Sequence, residues 1–316
     1  MRKLNLIVIL VIALLMAIGT VSFAADEIRI GVAAYYHTHD WSIDNIRGMR
    51  DEAAKLGVEL VEVMTYQDVL KHAEGIENLI ENKVDVIISL LGEQESMIPL
   101  AKKCKDADIP LIFIDGGLDT EGVAQNISSN NTDIGRLTGE WLVKKLNGKG
   151  KIIAMVHPTT TCTLEREVGM KEVLAKHPDM EILEEHDFAY SGAISSAKSI
   201  MEAAILKYGG KIDAVWGASD GRVLGAAQAL DENELSEVPI IAVDGLSEAI
   251  NLIKGGSAFQ ASYLQDAELM GRTAIRSAIK LANGEEVDPV VYIVPVLVDK
   301  DNAEEIYQQI QEARQK

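Results

Sequence analysis

Several things are scarce in this chain, and each scarcity removes a class of function. Basic residues are outnumbered: 30 Lys and Arg stand against 49 Asp and Glu, a formal charge of −19. Such a surface repels phosphate backbones, so nucleic acid is not an expected partner, and solubility is explanation enough for the charge. No glycine-rich turn follows the first predicted strand, where Val32-Ala33-Ala34-Tyr35-Tyr36 stands. That absence removes the dinucleotide fingerprint of a dehydrogenase. Gly148-Lys149-Gly150-Lys151 precedes a strand, whereas a phosphate loop follows one. No Ser-His or Cys-His motif of a hydrolase is recognisable. His37 and His39 form a His-x-His pair without a third ligand, so no metal is expected. Neither an enzyme nor a cofactor is indicated. The only cysteines are Cys104 and Cys162. They fall in different predicted lobes, where spacing alone cannot establish a bridge, and two unpaired, partly buried thiols are expected.

The N-terminus carries an export signal. Arg2 and Lys3 precede the apolar run Leu6 to Ile18, which is shorter than the roughly 20 residues that span a bilayer. Ser22-Phe23-Ala24 then supplies small residues at the two positions a leader peptidase reads, giving cleavage after Ala24 and a periplasmic protein. No cysteine follows the leader, so lipid attachment there is excluded. A DNA-binding regulator would carry a helix-turn-helix where this leader stands.

The mature part is organised around a repeated stretch. Pro110 to Gly116, Pro-Leu-Ile-Phe-Ile-Asp-Gly, returns at Pro239 to Gly245 as Pro-Ile-Ile-Ala-Val-Asp-Gly. Each copy reads as a buried parallel strand ending in a turn. Ligands of open α/β sheets sit outside the carboxyl ends of the strands, which places Asp115 and Asp244 at matching crevices. A turn aspartate bonding its own backbone is the plainer alternative. Gly48-Met49 is likewise echoed by Gly169-Met170, and Val84-Asp85-Val86 by Ile212-Asp213-Ala214. The offset is too long for a solenoid and fits two similar lobes, for which 316 residues leave room.

Strand and helix patterns alternate with short connections in both halves, which specifies parallel sheets covered on both faces. The expected fold class is α/β, two similar doubly wound lobes joined by a three-strand hinge. After the signal peptide at 1–24, residues 25–129 with 266–290 form the N-terminal lobe, and 130–265 with 291–316 the C-terminal one. Asn126 to Asp133, rich in turn formers, is expected to be the first crossover. Gly221 to Leu230 is expected as one helix, and Val290 to Val298 as one last extended segment.

These features together resemble the type I periplasmic sugar-binding proteins of ABC importers, nearest the ribose-binding kind. The resemblance covers nearly the whole mature chain. Its marks are Ile28-Arg29-Ile30-Gly31-Val32, Ile109 to Asp115, Ala218-Ser219-Asp220 before a helix, Val243-Asp244-Gly245, and Gln265 six residues before Gly271. It implies a sugar held between the lobes by aromatic faces and charge-assisted hydrogen bonds. Carried over position by position, Trp41 would stack on the ring, and His39 would reach a hydroxyl where the family has Asn or Asp. Arg166, in Arg-x-x-Gly-Met, would clamp ring and hydroxyl oxygens, and a surface ion pair is the alternative. Tyr190, with Phe188 beside it, falls near the second-lobe aromatic. Asp115, Asp220 with Ser219, and Asp244 would accept hydroxyls, and Gln265 would bind from the hinge or merely hold it.

Departures are equally plain. Leu91 stands where ribose binders tend to have Asn, Gly116 where they have Arg, and Ser42 where they have a second aromatic. The calcium loop of the glucose type fails at Leu235 in Asp231-Glu232-Asn233-Glu234-Leu235. The resemblance therefore implies a monomeric carrier that closes on a pentose, hexose or sugar alcohol and delivers it to an ABC permease. A periplasmic ligand-carrier for a membrane receptor is the alternative reading, which the sequence does not separate from the first.

Overall fold

The computed structural model describes residues 28–117, 120–189 and 191–315. Among these, two six-stranded sheets carry the molecule. The first contains β1 (Arg29–Ala34), β2 (Glu59–Met64), β3 (Val86–Leu90), β4 (Leu111–Ile114), β5 (Val123–Ser128) and β11 (Val290–Tyr292), in the order β11-β5-β4-β3-β1-β2. The second contains β6 (Gly150–Val156), β7 (Met180–Asp187), β8 (Ala214–Gly217), β9 (Ile240–Asp244), β10 (Phe259–Leu264) and β12 (Val296–Asp299), in the order β12-β10-β9-β8-β6-β7. All pairings are parallel except β10 with β12. Strands β3, β4 and β8 are buried at every position because helices cover both faces, which is why they read as unbroken apolar runs.

Helices connect the strands within each lobe. In chain order they are α1 (Asp40–Leu56), α2 (Val69–Glu81), α3 (Gln94–Asp106), α4 (Asn131–Lys145), α5 (Thr161–Leu174), α6 (Ala193–Tyr208), α7 (Leu224–Glu232), α8 (Ser247–Gly255), α9 (Ala267–Ala282) and α10 (Ala303–Arg314). Each lobe has its own apolar layers: Ile30, Val86, Ile112 and Met270 meet in the first, Ile153, Val215, Ile240 and Phe259 in the second.

The chain passes between the sheets three times, at 129–130, 265–266 and 293–295. Three expectations need correcting here. The first passage, at 129–130, lies inside the stretch Asn126 to Asp133, but the first three residues of that stretch are not part of it: Asn126 to Ser128 end a strand paired with β4 on one side and β11 on the other. Val290 to Val298 is two strands in different sheets. The third passage therefore follows Tyr292, two residues beyond the expected boundary, and Pro295, which has no N–H to give a ladder, lies in it. Gly221 to Leu230 is not one helix: a short 3-10 turn, Asp220–Arg222, precedes α7.

The repeated Gly-Met pairs have a packing reason. A Cβ on Gly48 of α1 would lie 2.3 Å from the Glu268 carbonyl oxygen of α9, and one on Gly271 of α9 would lie 2.1 Å from that of Asn45. The second lobe repeats the arrangement: Gly169 of α5 faces the Thr132 oxygen of α4, and Gly135 of α4 faces that of Arg166, both at 2.0 Å. In each lobe the helix that follows the first strand thus meets, backbone to backbone, a helix that has just entered from the other lobe.

Candidate functional site

Both sheets share one internal order. Counting from the second strand of each, they run second, first, third, fourth, fifth, so each has a point where the chain reverses direction across the sheet, between β1 and β3 and between β6 and β8. Loops leaving strand ends on either side of such a point diverge and leave a crevice. Here the two crevices face one another and enclose a cavity of about 80 Å³. About 10–15 Å³ of such space admits one water, so a single small polar solute fits.

The first lobe lines the cavity with Tyr35 and Tyr36 after β1, Leu91, Gly92 and Glu93 after β3, and Asp115 and Gly116 after β4. His39 and Trp41 enter from the start of α1. The second lobe contributes His157 after β6, the first turn of α5 from Thr160 to Thr163, Arg166, Ser219 after β8, and Asp244 at the end of β9. Four residues of the cavity wall hold positive φ without being glycine: Gln67 (+50°), Leu91 (+60°), Asp115 (+53°) and Asp244 (+127°). Such strain persists where surrounding structure over-determines it, commonly at ligand sites.

Arg166 is the hub. Its side chain is 2% exposed, and its Nε donates to Asn131 Oδ1 at 2.8 Å. Nη1 donates to the Ala218 carbonyl at 2.9 Å and to Asp244 Oδ1 at 3.1 Å. Nη2 donates to Gln265 Oε1 at 2.8 Å and lies 3.6 Å from Asp115 Oδ2. The guanidinium thus ties a second-lobe helix to both repeated aspartates and to one of the passages between lobes. It is neither a surface ion pair nor, in this arrangement, a free clamp.

The carboxyls around it are raised above their usual range. Burial lifts Asp115, with Arg166 and the Asn131 amide pulling the other way. Asp244 is raised first by burial, then by Asp115, against Arg166. Burial and Asp115 likewise raise Glu165 of α5. The Cys162 thiol is pushed up to about 12 by burial and by Asp115, so it stays protonated. It and Cys104 are buried and unpaired.

His39 has two functions open to it, and one is taken. Its Nδ1 accepts the Ser42 backbone N–H at 3.1 Å and caps α1, which puts the ring proton on Nε2. Burial lowers its pKa to about 4, so the ring is neutral and donates from one nitrogen only. Trp41 is 4% exposed, packs in the first-lobe core and also lines the cavity. Its indole N–H is buried without a partner.

Of the residues singled out from sequence, His39, Trp41, Asp115, Arg166, Ser219 and Asp244 meet at the cavity. Asp220 does not. Its carboxylate turns into the second lobe, where Ser262 Oγ reaches Oδ1 at 2.7 Å and the Leu246 N–H reaches Oδ2 at 2.8 Å. It braces the loop after β9 that carries Asp244. Gln265 stands behind the cavity, oriented by Arg166, and its Nε2 has no partner. Tyr190 lies outside the described residues. Phe188 packs under the Arg222 guanidinium at 4.7 Å and is absent from the cavity wall. Tyr35, Tyr36, Glu93, His157 and Thr160 to Thr163 were not singled out. Most follow the carboxyl end of a central strand, the same signal that marked Asp115 and Asp244.

A family model described as a periplasmic binding protein domain matches residues 30–286. The xylitol-binding protein of Mycolicibacterium smegmatis is 30% identical over 301 residues, which are 94% of this chain and 84% of that protein. A solved ABC transporter solute binding protein from Agrobacterium vitis, with bound allitol, has a TM-score of 0.83 and 27% identity. That match covers 89% of this chain and 98% of the other. An ABC sugar transporter subunit from Rhodobacter sphaeroides gives 0.82 and 28%, over 87% and 98% of the two chains.

Proposed function

The chain belongs to the family of periplasmic binding protein domains, and from that membership we propose that it captures one small polyhydroxylated solute by closing two lobes around it and hands it to an ABC permease. The observation that carries this reading is the cavity built from the strand ends of both lobes, with Asp115 and Arg166 meeting across it. Carboxylates accept hydroxyl donors through bonds worth about 1.5–3 kcal/mol each. The faces of Tyr36 and Trp41 suit the C–H surface of a sugar. His39 Nε2 supplies a donor, and the Ser219 hydroxyl can donate or accept. Gln265 acts through Arg166.

Binding shifts an open ensemble toward a closed one, and the permease reads the closed surface. The carrier works as a monomer outside the cytoplasm, after cleavage at Ala24, a site outside the described residues. No helix among the described residues is long and apolar enough to cross a membrane. A relative named for xylitol and a solved structure holding allitol put sugar alcohols first in a thermal-shift screen. Pentoses, hexoses and sugar acids come next. A ligand at 100 times its Kd adds about 2.7 kcal/mol to stability, which such a screen detects. With the best ligand, Trp41→Ala and Asp244→Ala each weaken binding at least about tenfold in calorimetry, a change of about 1.4 kcal/mol. Unchanged affinity in both variants rejects the site.

A further inference from the structure

The charges lining the cavity do not balance. Among the described residues, Glu93, Asp115 and Asp244 bring three carboxylates to its wall, and Arg166 brings the single guanidinium. That guanidinium already donates to Asn131, the Ala218 carbonyl, Asp244 and Gln265, with Asp115 beside it. His39 is neutral, and burial also lowers the pKa of His157. The first turn of α5 presents its positive end to the cavity, but Glu165 one turn along answers it. No side chain at Gly116 supplies a counter-charge either, because a Cβ there would lie 2.0 Å from the Phe113 ring.

The unneutralised part is the first-lobe wall around Glu93. One Glu93 oxygen accepts from the Tyr35 hydroxyl at 3.2 Å, and no salt bridge joins Glu93 to a Lys or Arg among the described residues. Tyr35 and Tyr36 line the same cavity, and Tyr36 continues into an aromatic group with His39 and Tyr66, whose ring centroids lie 4.5 and 5.9 Å away. A carboxylate set among aromatic rings is the surrounding that recognises an ammonium group: one salt-bridging acceptor with π faces around it.

Resting on the reading that this cavity holds a polyol, we propose that its ligand is a polyol or cyclic polyol bearing a protonated amine, with the ammonium at Glu93 and the tyrosines and the hydroxyls at Asp115 and Asp244.

The test compares matched pairs on the purified mature chain by calorimetry at neutral pH and low salt: glucitol with 1-amino-1-deoxyglucitol, and myo-inositol with a monoamino-inositol. Gluconate serves as the anionic control. In at least one pair the amine binds about tenfold tighter than its neutral partner or better, and gluconate binds more weakly than glucitol. The amine's advantage shrinks as salt is raised. Glu93→Gln narrows the ratio between amine and neutral partner at least threefold, a readout that general loss of folding does not produce. Neutral partners binding as tightly as the amines in both pairs overturns this inference and leaves the polyol reading standing. If no compound of the panel or of the wider sugar screen binds below 1 mM, both readings fall.

Discussion

Arg166 shows how far one residue is legible from sequence. Its Arg-x-x-Gly-Met setting marked it, and the structure places it on the cavity wall with a task that the resemblance did not imply: its donors tie the protein together. That task depends on four segments distant in the chain, from Asn131 to Gln265, and no local pattern encodes it. Removing one member of a buried charge set strands the others, at a cost of about 3–5 kcal/mol. Arg166→Met is therefore expected to lose about that much in urea denaturation near pH 7. The deficit shrinks on acidification as Asp115 and Asp244 take up protons. A second residue-scale prediction concerns His72, a core imidazole bonded to Ser89 at 3.2 Å, whose pKa burial lowers to about 4. The native state keeps it neutral, while the unfolded chain protonates it below about 6.5. Its contribution is complete above that pH and is lost as pH falls toward 4. By linkage, the stability gap between wild type and His72→Asn narrows by up to about 3 kcal/mol between pH 7 and pH 4, as chemical denaturation at each pH would record. The same strand-end rule that singled out Asp115 and Asp244 applies equally to Tyr35, Glu93 and His157. They were missed because no repeat drew attention to them.

At the scale of elements, alternation of strand and helix was readable because buried parallel strands are continuous apolar runs. β5 was not, since Val-Ala-Gln-Asn-Ile-Ser reads as a turn-forming stretch and only its two neighbours in the sheet make it a strand. Asp220 misled for a related reason. Sequence places it at a strand end, but the side chain's direction is set by Ser262 on a neighbouring strand and by the Leu246 amide. The Gly-Met echo was visible without its meaning, which is the close approach of α1 to α9 and of α5 to α4. Gly169→Ala puts a methyl about where the Thr132 backbone oxygen now stands, and neither helix can yield cheaply. Overpacking of this kind costs about 1–3 kcal/mol or more. The variant should therefore melt several degrees lower in a thermal scan. Because α5 carries Arg166, it should also bind ligand less tightly at temperatures where it remains folded.

For the whole molecule, the lobes touch at a second place besides the cavity. Arg314, at the end of α10, reaches across to α1, where Nε and Nη2 meet Asp44 at 3.1 and 2.7 Å and Nη2 meets Asp40 at 3.0 Å. Its Nη1 also donates to Ser247 Oγ at 2.8 Å. The acidic ends of this bridge flank Trp41 on the same helix turn, so closure of the lobes and formation of one cavity wall are mechanically joined. Arg314→Ala removes the bridge without touching the cavity. It should weaken ligand binding about three- to tenfold by shifting the population toward the open form. X-ray scattering of the ligand-free variant should report a larger radius of gyration than wild type. None of this was legible in advance, since an arginine 270 positions from its partner carries no local signal.

The three passages between sheets have one more consequence, for biogenesis. The first sheet takes its edge strand β11 from residues 290–292 and the cover of one face from α9, both made after the whole second sheet but its last strand. A nascent chain therefore cannot complete its leading half in instalments. That half waits, with an unpaired edge and an uncovered apolar face, until the trailing segments have emerged.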